Sequence, residues 1–185
     1  MILYMLLAFI SAKIKGYKLK PIIKSYSLYP YFVVEIVYWF LQINIFMQNY
    51  DFVKYSPYIK SAHLYALIIP ILVYKLYKPG LFASALVVVG TLLNKFVMMQ
   101  NGGKMPVFPS LSKITGYYSE SAIMTVDNIH IIGNEGTRFK FLTDFIDIGY
   151  SILSIGDLLI HSFTFIVIYF TIKELNKNLV TNNHK

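Results

Sequence analysis

The segment GLFASALVVVGTLLNKFVMMQ, which runs from Gly80 to Gln100, decides the fold. A helix needs roughly 20 residues to cross the hydrocarbon core of a membrane. This segment has that length, and Lys95 is its one charged residue. The whole chain has 185 residues, which leaves room for one compact bundle. Gly80 to Gln100 is therefore predicted to span a membrane.

Three further blocks have the same length and apolar character: Leu28 to Gln48, Tyr58 to Tyr77 and Ile148 to Ile172. The opening stretch from Met1 to Ala12 is apolar but short, so a tilted span, an interfacial helix and a signal-like segment all fit it. Its lysines follow the apolar run, which argues against a cleaved signal peptide. Counting it as a short span, we predict an all-α transmembrane helical bundle of about five spans, forming a single integral membrane domain.

Composition supports a membrane protein. Apolar residues make up 56% of the chain without glycine, whereas soluble domains reach roughly 45–50% with glycine included. The formal net charge of +8 does not indicate nucleic-acid binding, because the lysines lie beside the apolar blocks rather than on a separate surface. The chain has no cysteine, which excludes disulfides, thiolate metal sites and cysteine nucleophiles.

The lysines predict an orientation. Loops between Lys13 and Lys24 and between Lys75 and Pro79, together with the tail 173–185, hold ten of the 17 basic residues. Since such loops stay in the cytoplasm, the N-terminus is expected outside and the C-terminus inside. A long polar loop from Asn101 to Phe145 then faces outward. Within this loop, Ser121 to Ile132 is predicted to be either a short helix or a pair of strands.

Asp157 is the ionisable residue that stands out in the last predicted span. An aspartate at the centre of a span costs about 2.5–3.5 kcal/mol, so its side chain should avoid lipid. On a continuous helix Ser154, Asp157 and His161 would share one face. Two interpretations stay open: a proton-handling or catalytic carboxylate, and a buried polar pair that locks helix packing.

Two more carboxylates, Asp144 and Asp147, lie at the outer mouth of the last predicted span. Taken alone, such residues are expected to be solvated. On an unbroken helix Asp144 and Asp157 would point to different sides, so Asp147 would be the better partner. A break at Gly149 would instead allow Asp144 and Asp157 to converge.

Other polar residues receive structural interpretations. Glu35 is expected to pair with Lys24 or another cytoplasmic lysine, and His63 to lie at the level of the headgroups. Asn94 follows Gly90 by one turn, a pattern that favours close helix contact. The four histidines have no metal-ligand spacing, so neither a metal site nor a cofactor is predicted.

The loop after the third long span begins with two glycines and a proline. This composition fits either a re-entrant rim that approaches a ligand or an ordinary turn that ends a helix. We hypothesise one outer-facing polar site, for a ligand or for structure, that is covered by this loop. Besides Asp157, its expected members are Asn94, Asn101, Gly102, Gly103, Met105, Pro106, Ser154 and His161.

Two motifs together resemble a known family. Asn101-Gly102-Gly103-x-Met105-Pro106-Val107 closes a span that contains Gly90 and Asn94, and Ser154-Ile155-Gly156-Asp157 follows later. This pairing is similar to the bacterial membrane family catalogued as domain of unknown function 5317. The resemblance implies a multi-pass protein of the bacterial cytoplasmic membrane and brings no established activity.

A local likeness points to chemistry. Leu142-Thr143-Asp144-Phe145-Ile146-Asp147, followed by Asp157, resembles the region of lipoprotein signal peptidases that supplies two catalytic aspartates. The resemblance would make Asp144 and Asp157 the catalytic pair. Ser154 and Gly156 depart from that family's Asn-x-Ala-Asp pattern, and the likeness covers only this part of the chain.

Three functions remain in competition. The favoured one is a non-catalytic binding, sensing or assembly component, with the lipid bilayer, a lipidic or peptide ligand, or another membrane protein as partner. The alternative is an intramembrane aspartyl hydrolase using Asp144 and Asp157. The third is a small proton-coupled carrier using Glu35, Asp157 and His161, although the chain shows no internal repeat of the kind many carriers have.

Overall fold

The structure is a computed structural model that describes residues 2–120 and 129–182. Within these residues the chain forms six α-helices and four short strands. The helices are α1 (Ile2–Ile14), α2 (Tyr29–Phe46), α3 (Ser56–Val73), α4 (Tyr77–Gln100), α5 (Leu111–Thr115) and α6 (Ile155–Asn182). The strands are β1 (Met105–Val107), β2 (His130–Ile132), β3 (Ile146–Asp147) and β4 (Ile152–Leu153).

The predicted all-α membrane class is confirmed. Among the described residues, α2, α3, α4 and α6 are long and apolar enough to cross a membrane, and α1 is a shorter apolar helix. Only 17% of the residues in the apolar stretch of α4 are buried. Leu81, Val88 and Leu92 on this helix are exposed. Large apolar side chains that face outward along a whole helix are stable in hydrocarbon and unstable in water.

The turn between α3 and α4 lies earlier than predicted. The chain leaves α3 at Val73, and Lys75 takes a left-handed conformation with φ +53°. Lys78 and Pro79, which separate the predicted second and third spans, lie in the first turn of α4. Pro79 is tolerated there because the first amides of a helix have no partner within the helix.

The last span begins at Ile155 and not at Ile148, which corrects the prediction. The residues before it form an antiparallel hairpin in which Ile146 pairs with Leu153 and Asp147 with Ile152. Gly149 turns this hairpin with φ +86°, a conformation that favours glycine. Hydropathy placed the boundary too early because the hairpin is as apolar as the helix that follows.

The long loop is partly a β-structure. β1 pairs in parallel with β2, so that Met105 lies opposite His130, and Val107 forms a further bridge to Asp144. Of the segment predicted to be a helix or a strand pair, residues 121–128 lie outside the described residues. Residues 130–132 form β2.

The contacts divide the chain into two units. The first consists of Met1–Val37, Tyr58–Leu86 and His161–Lys185. Its buried core includes Leu28, Leu67 and Ile172, together with small residues of α1. The Asn176 amide also accepts a hydrogen bond from the Lys18 amide nitrogen and donates one to the Lys18 carbonyl. This reciprocal pair ties the loop after α1 to α6.

The second unit consists of Tyr38–Pro57 and Val87–Ile160. Within it α4 and the start of α6 approach at two glycines. A Cβ added to Gly156 would lie 2.6 Å from the Gly90 carbonyl oxygen and still closer to the Asn94 side chain. A Cβ added to Gly90 would collide with the Gly156 carbonyl oxygen. Glycine at both positions therefore sets the distance between the two helices.

We predict that Gly156→Ala and Gly90→Ala each lower the free energy of unfolding by about 1–3 kcal/mol, the usual cost of overpacking. On helix propensity alone, alanine would stabilise each position, so the sign of the effect tests the close approach. Gly136→Ala is the control, because Gly136 lies in an exposed turn where the nearest atom would be 3.3 Å away. Denaturant unfolding in detergent measures all three variants. Stabilisation by either helix substitution would contradict the contact.

Candidate functional site

Glu35 of α2 and His63 of α3 form a buried pair in the first unit. His63 Nε2 lies 2.7 Å from Glu35 Oε2. His63 is fully buried and Glu35 is 4% exposed. Both residues lie near the middle of their apolar segments, which run over Tyr26–Phe46 and Val53–Val73. The chain therefore places a carboxyl and an imidazole together at the depth where isolated charge is most costly.

The hydrogen bonds fix how many protons the pair holds. His63 Nδ1 lies 2.9 Å from the Ile59 carbonyl oxygen, which can only accept, so Nδ1 carries a proton. At 2.7 Å, one proton must also lie between His63 Nε2 and Glu35 Oε2. The pair is then either a neutral imidazole with a carboxylic acid or an imidazolium with a carboxylate. Its net charge is zero in both forms.

Tyr31 completes this cluster. It is fully buried, and its ring meets the His63 ring edge-on with centroids 5.6 Å apart. Its hydroxyl lies near the Glu35 carboxyl. Among the described residues, Tyr31 Oη and Glu35 Oε1 are buried and make no hydrogen bond of normal geometry. The cluster thus sets the Tyr31 hydroxyl beside the Glu35 carboxyl that shares a proton with His63.

Sequence reasoning missed this cluster. The prediction that Glu35 pairs with a cytoplasmic lysine is wrong, because its partner is His63. His63 is not at the headgroup level either, because its apolar segment begins at Val53 and places it near the middle. An antiparallel pair of helices brings residues equally far from the connecting loop to the same depth. Applied to Glu35 and His63, that geometry could have suggested the pairing.

Asp157 takes part in the N-terminal cap of α6 as the partner of Ser154. Its amide donates to Ser154 Oγ at 2.9 Å, and its carboxylate accepts from the Ser154 amide at 3.1 Å. This reciprocal arrangement is a capping box, and it places Asp157 in the first turn of α6 rather than deep in a span. Asn94 of α4 donates to Asp157 Oδ1 at 3.0 Å and accepts from Ser154 Oγ at 2.8 Å. The network joins α4 to the start of α6.

The predicted outer site is therefore only partly assembled. Asn94, Ser154 and Asp157 come together as expected. His161 lies in the first unit, where its ring packs edge-on against Tyr4 of α1 at 5.3 Å. The hydrogen bonds of the Asp157 carboxylate go to Asn94 and Ser154.

The glycine-rich segment after α4 ends the helix and begins the β-structure. Gly103 donates to the Met98 carbonyl at 2.8 Å, and Gly102 has φ +67°, as in a Schellman turn. Asn101 binds the backbone nitrogen and oxygen of Arg138 through its side chain. Met105 and Pro106 are buried in β1. The structure favours the helix-ending turn over the re-entrant rim.

Asp144 and Asp147 are not simply solvated. Asp144 is 4% exposed, its Oδ2 lies 3.2 Å from His130 Nε2, and its amide donates to the Pro106 carbonyl. Asp147 accepts from the amides of Ser110, Ser112 and Gly149. Burial acts to raise the pKa of the Asp147 carboxyl, but the hydrogen bonds from Ser112, Ser110 and Gly149 outweigh it and hold the pKa below its usual value. Both carboxylates hold the loop between α4 and α6 in shape.

In residues 2–120 and 129–182, no three or more His, Asp or Glu side chains gather as they would around a metal ion. The model of a family described as "Family of unknown function (DUF5317)" matches residues 19–169. This match covers most of the chain, and the protein belongs to that family. No curated protein and no solved structure matches the chain.

Proposed function

We propose that this member of the DUF5317 family is a non-catalytic component of the bacterial cytoplasmic membrane that senses protonation or binds a polar group through Glu35 and His63. The observation that carries the proposal is the 2.7 Å hydrogen bond between these side chains, buried near the middle of two apolar segments. An ionisable residue at such a position is a functional candidate by default. The alternative is that the pair only holds α2 against α3 and does not respond to protonation or to a ligand.

The proton count explains how the pair would respond. With one shared proton its net charge is zero, which suits a medium of low dielectric constant. One further proton would leave the pair with a net positive charge, and loss of the shared proton would leave it with a net negative charge. Either state is costly without a compensating group. Protonation is therefore coupled to the contact between α2 and α3 at Glu35 and His63.

The hydrogen bonds weigh against an aspartyl hydrolase. In such an enzyme two carboxylates lie close enough to share a proton, and one of them acts on water. Both oxygens of Asp157 accept hydrogen bonds that cap α6 and hold Asn94. Asp144 instead contacts His130 and the backbone of β1. A proton-coupled carrier would also use Glu35, but the chain has no repeat of the kind that many carriers have.

The proposal predicts that a proton added to the buried pair loosens α2 and α3 in the intact protein, because the pair then carries a net charge. Hydrogen exchange in lipid nanodiscs over a series of pH values, corrected for intrinsic exchange, measures this effect. Glu35→Gln combined with His63→Gln removes both ionisable side chains and should abolish any pH dependence of exchange in α2 and α3, whereas Glu135→Gln, at an exposed turn residue, should preserve it. If exchange in the wild-type protein does not change with pH, the pair only holds the two helices together. A pH dependence that survives the double substitution would assign the response to another group.

The proposal includes an orientation, with the N-terminus outside and the C-terminus in the cytoplasm. Of the 17 basic residues, ten lie in the loops between Lys13 and Lys24 and between Lys75 and Pro79 and in the tail 173–185. The positive-inside rule counts lysine and arginine in short loops and gives acidic residues little weight, so this excess supports the proposed orientation.

Labelling of single cysteines tests the orientation, and the chain has no native cysteine to interfere. In intact cells a membrane-impermeant thiol reagent should label Lys113→Cys and spare Lys18→Cys until the membrane is opened. Labelling of Lys18→Cys alone would reverse the topology. Labelling of both in intact cells would refute the placement of the two loops on opposite sides.

A further inference from the structure

An open groove lies in the first unit between the α3–α4 turn and the later part of α6. The turn contributes Tyr74 to Pro79, and α6 contributes Phe170, Lys173, Glu174 and Lys177. The volume of the groove is about 570 Å³. All of its residues belong to one unit, so its shape depends only on contacts within that unit.

The groove carries a positive charge. Four lysines line it, and Glu174 is the one acidic residue among the lining residues. Glu174 accepts from Lys177 Nζ at 2.8 Å, which neutralises one of the lysines. Lys173 Nζ lies 5.6 Å from the centre of the Phe170 ring, whereas Lys75 and Lys78 are exposed on the turn. The remaining charge of about three suits an anion that bears a phosphate.

The position of the groove selects a lipid as the source of that phosphate. α3 ends at Val73, α4 begins at Tyr77 and the apolar run of α6 ends at Ile172, directly before Lys173, so the groove lies where three spans leave the hydrocarbon. Leu72 and Leu81, which flank the lining residues of the turn in the sequence, are 59% and 75% exposed. An apolar surface that acyl chains can contact thus adjoins the basic turn in the sequence. A free phosphate would use only the basic part.

We propose that this groove binds the headgroup of an anionic glycerophospholipid, with Lys75 and Lys78 contacting the phosphate and Leu72 and Leu81 contacting the acyl chains. The openness of the groove fits this ligand, since a small soluble molecule usually requires a pocket that encloses most of its surface. The proposal goes beyond the function proposed for Glu35 and His63 and does not depend on it.

Native mass spectrometry of the full-length protein in detergent tests the proposal, with phosphatidylglycerol and phosphatidylcholine of identical chains as probes. We expect tighter binding of phosphatidylglycerol. Lys75→Gln combined with Lys78→Gln should weaken it about 25-fold, since each lysine near an anionic headgroup contributes about fivefold in affinity. Lys75→Arg combined with Lys78→Arg should retain binding and show that the protein still folds.

The matched control is Lys54→Gln combined with Lys60→Gln, which removes the same charge at exposed positions outside the groove. This variant should bind phosphatidylglycerol like the wild type. If both double variants lose the same affinity for phosphatidylglycerol, the effect comes from the overall charge of the protein, and the proposal is overturned. Equal binding of the two lipids would do the same, as would inorganic phosphate or glycerol phosphate competing as well as the lipid.

Discussion

A polar group inside a membrane has no water to bind, so each one must find its partner within the protein or lose several kcal/mol. The Glu35–His63 pair is the clearest consequence of this constraint. Each residue alone would be a buried ionisable group near the middle of an apolar segment, and together they form a neutral unit joined by one shared proton. The same constraint accounts for Asn94, whose amide is satisfied by Ser154 and Asp157.

Glycine and polar residues act together where α4 meets the start of α6. Gly90 and Gly156 allow the two backbones to approach, and this approach brings Asn94 within reach of the capping box of Ser154 and Asp157. The two motifs that carry the family resemblance thus meet at one contact. The structural interpretation of Asn94 and Asp157 as helix-packing residues is the one that these hydrogen bonds favour.

Hydropathy was sufficient to predict the four long helices, because crossing a membrane requires a length and an apolar composition that few other elements combine. It could not place the start of α6, since Ile146, Ile152 and Leu153 are as apolar in a hairpin as they would be in a helix. That error of seven residues moved Asp157 from a helix cap into an apparent span centre. The capping pattern Ser-x-x-Asp was present in the sequence and carried the better signal.

Pairing between helices was the part that sequence reasoning did not supply, although equal distance from the connecting loop makes Glu35 and His63 candidates for a pair. Whether His63 meets Glu35, or Asp144 meets His130, depends on the relative rotation and depth of distant elements, which periodicity within one element does not encode. Span boundaries in error by a few residues were enough to assign His63 to the headgroup level. Composition likewise could not show that Asp144 and Asp147 hold the loop between α4 and α6 through their polar contacts.

The most direct measurement of the central claim is a double-mutant cycle on Glu35→Gln and His63→Gln, with free energies of unfolding measured in mixed micelles. The account predicts a coupling of at least about 1.5 kcal/mol, because either single variant leaves a buried ionisable group without its partner. It also predicts that the double variant is no less stable than the worse single variant. Additive effects within about 0.5 kcal/mol would contradict a shared proton between these two side chains.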